Sequence, residues 1–267
     1  MTFVCSIAKK CGGCPGLVDG DYESFTMLKF RQLEEMVHEL GIPVQPQMMF
    51  ASRPVEYRRR IRVRCDNGRA MFFNPNKALS CTVLTPSLRE ILTHLFDLSL
   101  VQPRLFSGLT HLDVREADLD GLFGVSRFGI SECSSDDFRK ACPSTIVVSE
   151  EESVSPHQRL PLGRGLDHFV PIRSFVQINS EVNEAIQVYL EDLCETNALS
   201  SFWDLYCGVG NLSLRLAHAG LVGGGVDVNA DAVRCAQASV SRWTESVHYH
   251  PADARQGLVS PQSTPEL

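Results

Sequence analysis

The sequence predicts an α/β fold in which a doubly wound parallel sheet follows a β-rich α+β region. From residue 180 to residue 253, short apolar runs alternate with segments of helical periodicity, which is typical of parallel strands joined by helices. From residue 108 to residue 171, short apolar runs alternate with polar turns, which is typical of an antiparallel sheet. At 267 residues, the chain has room for two ordinary domains.

The overall composition is acidic, but one segment is strongly basic. The net charge of −7 argues against nonspecific nucleic-acid binding over the whole surface. Between Arg53 and Lys77, eight basic side chains stand against two acidic ones, a local charge of +6. No apolar run approaches the roughly 20 residues that span a bilayer, and Met1 to Cys5 lacks the basic start of a secretion signal. We therefore predict a cytoplasmic protein with no membrane partner.

The first fifteen residues carry three cysteines, Cys5, Cys11 and Cys14, in the pattern C-x5-C-x2-C. In the cytoplasm, cysteines are more often metal ligands or buried thiols than disulfides. This spacing lets a loop wrap several thiolates around one centre, with a fourth ligand supplied from elsewhere. Four thiolates suit both an iron–sulfur cluster and a tetrahedral zinc site, so the spacing alone leaves both open. The remaining thiols outside this group are expected to be unrelated to it: Cys65, Cys133, Cys142, Cys194 and Cys235.

A predicted helix from Tyr22 to Leu40 is amphipathic and is interpreted as a packing element. The basic segment follows, and its alternation predicts a strand with one face of arginines: Arg58, Arg60, Arg62 and Arg64. The turn signal at 66–68 and the apolar run at 70–73 complete a predicted hairpin. Guanidinium groups about 6.6 Å apart on alternate residues can follow a phosphate backbone. A solvated strand face is the alternative interpretation.

The central region is predicted to be an amphipathic helix followed by a small antiparallel sheet around the basic hairpin. The helix extends from Pro86 to Phe96. The predicted strands cover residues 109–114, 122–128, 145–148 and 168–171, and the acidic run at 149–153 is expected to be an exposed turn.

The C-terminal region is built around a glycine turn between a strand and a helix. The run from Phe202 to Leu214 contains Gly208 and Gly210, which let the backbone approach a ligand next to a helix N-terminus. Asp227 ends a second strand about 20 residues later, where doubly wound folds bond a ribose hydroxyl. Ser213 replaces the third glycine of the dinucleotide fingerprint, which argues against NAD. A helix capped by Ser180 precedes the turn, and a third strand at 247–250 leads to residue 253.

Two motifs resemble one enzyme family. Asp-Leu-Tyr-Cys-Gly-Val-Gly-Asn at 204–211 resembles the S-adenosylmethionine loop of class I, Rossmann-like methyltransferases, and in particular of the RNA uracil-C5 methyltransferases. Phe-x-Gln-x-Asn at 175–179 and the cysteine loop resemble the same family, in its ribosomal-RNA-modifying branch. The resemblance implies S-adenosyl-L-methionine-dependent methylation of uridine C5 in RNA, with 23S rRNA as the partner. The alternatives are a catalytically inactive RNA-binding remnant and a methyltransferase that acts on a small molecule or a protein.

The resemblance also implies roles for individual residues. The implied cofactor contacts are Gln177, Tyr206, Gly208, Gly210, Asn211, Asp227 and Asp253. Phe175 would lie near the target base, and the four arginines of the predicted strand would contact RNA. A [4Fe-4S] cluster would be held by Cys5, Cys11, Cys14 and Cys81. The implied domains are a cysteine-rich loop at 1–20, an RNA-contacting domain at 21–172 and a methyltransferase domain at 173–267. The sequence does not fix an oligomeric state.

Uracil-C5 methylation needs a thiolate that adds to C6 and a base that removes the C5 proton. In the family that the chain resembles, both residues follow later strands, so they are expected beyond Leu267. The sequence is therefore expected to be a C-terminally truncated member with an incomplete methyltransferase domain, whose third strand would be an open edge. Cys207 and Cys235 are not expected to act as the nucleophile.

Overall fold

The computed structural model describes residues 22–43, 45–46, 55–71, 81–153 and 155–256. The helices are α1 Tyr22–Glu39, α2 Pro86–Val101, α3 Ser135–Ala141, α4 Ser180–Thr196, α5 Ser213–His218 and α6 Ala230–Val240. The strands are β1 Arg60–Asp66, β2 Arg69–Met71, β3 Leu109–Ala117, β4 Phe123–Gly129, β5 Thr145–Ser149, β6 His157–Gly163, β7 Leu166–Pro171, β8 Ser201–Leu205, β9 Val222–Asp227 and β10 Val247–Pro251. Short 3₁₀ turns cover Pro103–Phe106 and Ala254–Gln256.

A five-stranded sheet in the order β2-β1-β3-β4-β5 contains the basic hairpin. Asn67 and Gly68 both have positive φ at the turn between β1 and β2, so the predicted hairpin is confirmed. One face of β1 buries Ile61, Val63 and Cys65 against α2, whereas Arg62 on the other face is exposed. The predicted alternation along this strand is therefore confirmed.

The direction of β5 differs from the prediction. This strand pairs with β4 in parallel, because α3 lies between the two strands in sequence and returns the chain to the same end of the sheet. The sequence interpretation overlooked α3, although its capping box was present: Ser134 accepts a hydrogen bond from the backbone N–H of Asp137, whose carboxylate accepts one from the backbone N–H of Ser134.

The predicted strand at 168–171 does not join the antiparallel sheet. It forms β7, which pairs with β6 in a separate hairpin that packs on α6. Leu162 of this hairpin shares a buried cluster with Leu214 and Val233, and the backbone N–H of Phe169 donates to Ser239 Oγ at 2.9 Å. The polar alternation of β6 and its Pro161 hid this strand from the sequence interpretation.

The C-terminal strands form a parallel sheet in the order β10-β9-β8, with α5 and α6 as the connections. The predicted arrangement of parallel strands joined by helices is therefore confirmed for these elements. The N-cap of α4 is Asn179 rather than Ser180, since the Asn179 side chain accepts from the backbone N–H of Val182 at 3.2 Å. Among the described strands, β10 and β8 are the two edges of this sheet, and Leu205 at the end of β8 is 46% exposed.

Helix α1 has no buried residue among those that the structure describes, so the predicted packing role is not seen there. No helix in the described ranges is both long and apolar enough to cross a membrane.

Candidate cofactor site

The glycine turn after β8 adopts backbone conformations that favour glycine. Gly208 and Gly210 have φ angles of 54° and 72°, and Tyr206 also has a positive φ of 61°. A Cβ atom on Gly210 would lie 3.0 Å from Leu214 Cγ and 3.2 Å from the Tyr249 ring. The turn therefore needs a residue without a side chain at position 210 for two separate reasons.

A cavity of about 270 Å³ lies beside this turn, at the carboxyl ends of β8 and β9. Its walls include five of the predicted cofactor residues: Gln177, Tyr206, Gly208, Asn211 and Asp227. Doubly wound folds bind their ligands at this edge of the sheet. Phe175 and Asp204 also line the cavity, and the Phe175 side chain is 69% exposed. The geometry thus fits a nucleoside-containing cofactor at the position that the sequence predicted.

The Asp227 carboxylate is fixed at the end of β9. Its Oδ2 accepts from the backbone N–H of Gly208 at 2.9 Å, and its Oδ1 accepts from the backbone N–H of Asn229 at 2.8 Å. Each oxygen retains a second lone pair, so the carboxylate can still accept a hydrogen bond from a ligand hydroxyl.

Asn211 connects the glycine turn to α4. Its side-chain amide exchanges two hydrogen bonds with Asn183, at 3.1 and 2.6 Å, and its backbone carbonyl accepts from Gln187 Nε2 at 2.6 Å. The described contacts of this side chain therefore anchor the turn. The sequence interpretation missed Asn183 and Gln187, although their i, i+4 spacing places both on one face of a helix.

A buried ion pair extends the same connection. The Arg215 side chain is fully buried and donates to both oxygens of Glu191, at 2.7 and 2.5 Å, and to Gln187 Oε1 at 3.2 Å. Helices α4 and α5 are thus joined directly behind the turn.

The only described thiol that lines the cavity is Cys207. Burial, together with the charges of Asp204 and Asp227, raises the pKa of Cys207 to about 12. This thiol therefore stays protonated at neutral pH.

Asp253 lies outside the lining of this cavity. Hydrogen bonds from Arg255, at 2.7 Å from Nη2 and 3.0 Å from Nε, lower the pKa of Asp253. Asp253 nonetheless follows Ala252, whose backbone N–H donates to the carbonyl of Asp227 at 3.0 Å. Its predicted contact with the cofactor stays a prediction.

A second cavity of about 290 Å³ shares Val176, Gln177 and Asn211 with the first and reaches β3 and β7. Burial, together with the charge of the nearby Arg115, lowers the pKa of His168 in its wall to about 4. Burial also lowers the pKa of Arg115, to about 9. Arg115 donates to the carbonyl groups of Pro171 and Ser174, so strand β3 holds the segment that leads to Gln177.

The four predicted RNA-contacting arginines are in different environments. Arg60 and Arg62 both donate to Asp113, each at 2.7 Å, and Arg60 also donates to the carbonyl of Ser174 at 3.2 Å. Arg58 precedes β1 and forms isolated bridges to two other segments. The Arg62 side chain remains 64% exposed despite its ion pair, and Arg64 is exposed. Of these four arginines, Arg62 and Arg64 are therefore the two that are available to a phosphate backbone.

The predicted metal ligands Cys5, Cys11 and Cys14 lie outside the described residues, whereas Cys81 is described and buried. The described residues include no group of three or more histidine, cysteine, aspartate or glutamate side chains suited to a metal ion. The predicted cluster stays a prediction.

The proteins that the chain resembles are RNA methyltransferases. No family model matches the chain. The chain is 26% identical over 288 residues to the 23S rRNA (uracil(1939)-C(5))-methyltransferase RlmD of Mannheimia succiniciproducens, an alignment that covers 97% of this chain and 63% of the relative. It is 30% identical to the RlmD of Shewanella denitrificans, over 79% of this chain and 54% of the relative.

A solved structure matches most of the chain. The tRNA (uracil-54, C5)-methyltransferase of Pyrococcus abyssi, in complex with S-adenosyl-L-homocysteine, superimposes with a TM-score of 0.72 at 19% identity, over 94% of this chain and 67% of that one. The chain has the methyltransferase fold. It spans between 54% and 63% of the length of the two RlmD relatives. The predicted fold class, an α/β Rossmann-like methyltransferase domain after an α+β region, is confirmed.

Proposed function

We propose that the chain binds S-adenosyl-L-methionine and RNA for the methylation of uridine C5, with 23S rRNA as the RNA. The observation that carries this proposal is the cavity beside the glycine turn, whose walls combine Asp227 and Gln177 with an exposed Phe175. The names of the sequence relatives support the choice of uracil-C5 in rRNA.

The residues of the cavity divide the binding task. The cofactor supplies an electrophilic methyl group. Gly208 lets the backbone approach it, whereas Gly210, outside the cavity lining, gives the turn its conformation. Asp227 accepts from a ribose hydroxyl, and Gln177 both donates to and accepts from polar groups of the ligand. Phe175, exposed at the same mouth, offers a face on which a nucleobase can stack.

Strand β1 supplies the contact with the RNA backbone. Arg62 and Arg64 are exposed on alternate positions of one face, about 6.6 Å apart, which matches the reach needed to contact successive phosphates. Replacement of both by Ala is expected to weaken RNA binding and to reduce the slope of log affinity against log salt by about 2.

Among the described residues, the lining of the cavity supplies no thiolate for attack at C6. Cys207 is protonated at neutral pH because burial raises its pKa to about 12. The proposal therefore assigns cofactor binding and RNA contact to the described residues and assigns the nucleophile to none of them. A second candidate function, compatible with a protonated Cys207, is that of an RNA-binding protein that takes up the cofactor without transferring its methyl group.

Labelled methyl transfer separates the two candidates. The full chain is incubated with methyl-labelled S-adenosylmethionine and 23S rRNA, and the nucleosides are then analysed for 5-methyluridine. Labelled 5-methyluridine supports the enzyme, and saturable binding of RNA and cofactor without incorporation supports the second candidate. Absence of cofactor binding by the folded chain contradicts both.

We further propose that Cys5, Cys11, Cys14 and Cys81 hold a [4Fe-4S] cluster. The burial of Cys81 beside the start of α2 supports it, since cluster ligands are shielded from solvent in a folded core. Anaerobic purification with iron and sulfide analysis tests the proposal, and Cys81→Ser is expected to lower both contents. Zinc at one per chain without iron would contradict it.

A further inference from the structure

Ser213, which replaces the third glycine of the dinucleotide fingerprint, belongs to a buried chain of hydrogen bonds behind the cofactor cavity. Its Oγ donates to Asp204 Oδ2 at 2.5 Å and lies 2.9 Å from the hydroxyl oxygen of Tyr249. The exposed fractions of Ser213 and Tyr249 are 2% and 4%. These hydrogen bonds therefore link the end of β8, the start of α5 and the middle of β10.

The number of protons on each group fixes the donor and the acceptor in these two hydrogen bonds. An ionised carboxylate only accepts hydrogen bonds, so the single hydroxyl proton of Ser213 goes to Asp204. The Ser213 oxygen can then only accept from Tyr249, and Tyr249 is the donor. Both hydroxyl groups thus point their protons toward the carboxylate.

The space for Tyr249 comes from glycines on two other segments. A Cβ atom on Gly225 would lie 2.8 Å from the Tyr249 ring, and one on Gly210 would lie 3.2 Å from its hydroxyl oxygen. The tyrosine ring therefore fits behind the turn because both positions lack a side chain. This explains why β9 carries glycine at 225, a position that the sequence interpretation left without a role.

We infer that Ser213 and Tyr249 are positioning residues that hold the Asp204 carboxylate at the wall of the cofactor cavity. Among the described residues, the hydrogen bonds of this carboxylate involve Oδ2. Oδ1 is therefore left to accept from a hydroxyl or ammonium group of bound S-adenosylmethionine. The inference rests on the proposed cofactor site, and neither hydroxyl touches the ligand in it.

The surroundings of Asp204 make this support necessary. Burial raises the pKa of Asp204, the hydrogen bond from Ser213 lowers it, and the charge of Asp227 raises it. The other titratable groups near the carboxylate are Cys207 and Tyr249, and burial raises the pKa of each. None of these neighbours is a cation, so the hydrogen bond from the Ser213 hydroxyl is the contact that opposes the rise of the Asp204 pKa and orients the carboxylate.

The test compares Ser213→Ala and Tyr249→Phe with Ser239→Ala, a matched control. Ser239 is also fully buried and hydrogen-bonded, but its partners are Cys235 and Phe169, away from the cavity. Affinity for S-adenosylhomocysteine is measured calorimetrically from about pH 5 to about pH 8. We expect Ser213→Ala to weaken binding by about tenfold at neutral pH and to move the acidic limb of the profile to higher pH. Tyr249→Phe should have a smaller effect in the same direction, and Ser213→Thr should restore binding.

A second measurement does not depend on the ligand. The pKa of Asp204 is followed in the ligand-free chain through its carboxyl carbon resonance, and Ser213→Ala should raise it, whereas Ser239→Ala should not. Lack of cofactor binding by the wild-type chain would contradict the proposed function, and the titration would still decide the positioning role. An unchanged Asp204 pKa in Ser213→Ala, or an unchanged affinity and pH profile alongside lower stability, would overturn the inference.

Discussion

Gly210 shows how much a single residue of the turn constrains. Its positive φ disfavours a side chain, and a Cβ atom at this position would lie 3.0 Å from Leu214 Cγ. Gly220, in contrast, has a positive φ of 94° but nothing within 4 Å of its Cβ position. Alanine at Gly220 should lower the free energy of unfolding by about 1 kcal/mol, the cost of the left-handed conformation alone. Gly210→Ala should cost more and should also weaken S-adenosylhomocysteine binding by at least about tenfold.

Denaturant unfolding and calorimetry of the two variants check this prediction. Equal losses of stability, with cofactor affinity intact in both, would show that the contact with Leu214 does not shape the turn.

Asp113 is the second residue whose environment makes a quantitative prediction. Burial favours a higher pKa for this carboxyl, but hydrogen bonds from Arg62 and Arg60 outweigh it and lower the pKa below its ordinary value. Asp113→Asn should lower the free energy of unfolding by roughly 2 kcal/mol, because two arginines lose one charged partner. Asp136→Asn, which breaks a surface pair with Arg139, should change stability by less than about 0.5 kcal/mol.

The pH dependence of the same residue follows from the direction of its shift. Because the folded pKa is lowered, the stabilising contribution is complete above the unfolded pKa of about 4 and is lost as the pH falls through the folded value. Urea titrations in that acidic range should therefore show that the free energy of unfolding falls with pH in the wild type and that Asp113→Asn lacks this fall. Parallel curves would contradict the assignment.

At this scale the sequence predicted five of the residues that line the cavity but not the contacts that anchor them. Tyr206, Gly208 and Asp227 line it because a glycine turn and a strand end are local features that a motif encodes. The contacts of Asn211 and Ser213 depend on α4 and β10, which are distant in sequence, so their anchoring roles were visible only in the fold.

Helices α4 and α5 make a prediction at the scale of elements. Glu191 binds two arginines: Arg215, whose side chain is fully buried, and Arg164, whose side chain is 60% exposed. Arg215→Met should lower the free energy of unfolding by roughly 3 kcal/mol, because Glu191 and Gln187 lose their buried partner. Arg164→Met removes a charge from the same carboxylate and should cost less than about 1 kcal/mol.

Urea denaturation of both variants provides the comparison. Similar losses of unfolding free energy in the two variants would mean that burial does not make the Arg215–Glu191 ion pair more stabilising than the exposed Arg164–Glu191 pair.

Elements with a strong local signal were predicted correctly. The parallel strands and their helices followed from apolar runs, helical periodicity and glycines, and Gly220, with a φ of 94°, follows the C-cap residue of α5. The partners of β5 and β7 were not predictable in the same way, because strand direction depends on α3 and on packing against α6. The implied domain boundary at residue 172 stays a prediction. Leu162 of β6, which precedes that boundary, belongs to the core around the parallel sheet.

The whole molecule carries a pH-dependent contribution from His168, which lies fully buried at the second cavity. Its pKa is lowered to about 4 by burial and by Arg115, against about 6.5 in the unfolded chain. The folded state therefore binds fewer protons between these values, and stability should fall as the pH drops from about 6.5 toward about 4, by up to roughly 3 kcal/mol. His168→Gln should remove most of this dependence.

Free energies of unfolding in urea, measured at neutral pH and near pH 5, decide the matter. If the free energy of unfolding changes equally between these two pH values in the wild type and in His168→Gln, His168 is not the group that titrates.

The central claim is that the chain binds S-adenosylmethionine in the cavity between the glycine turn and Asp227. The most direct measurement is calorimetric titration of the full chain with S-adenosylhomocysteine, beside Asp227→Ala as the variant. We predict one site per chain and an affinity at least about tenfold lower in Asp227→Ala, because a ligand hydroxyl loses its acceptor. No binding by the folded wild-type chain, or equal affinity in the folded variant, would contradict this account.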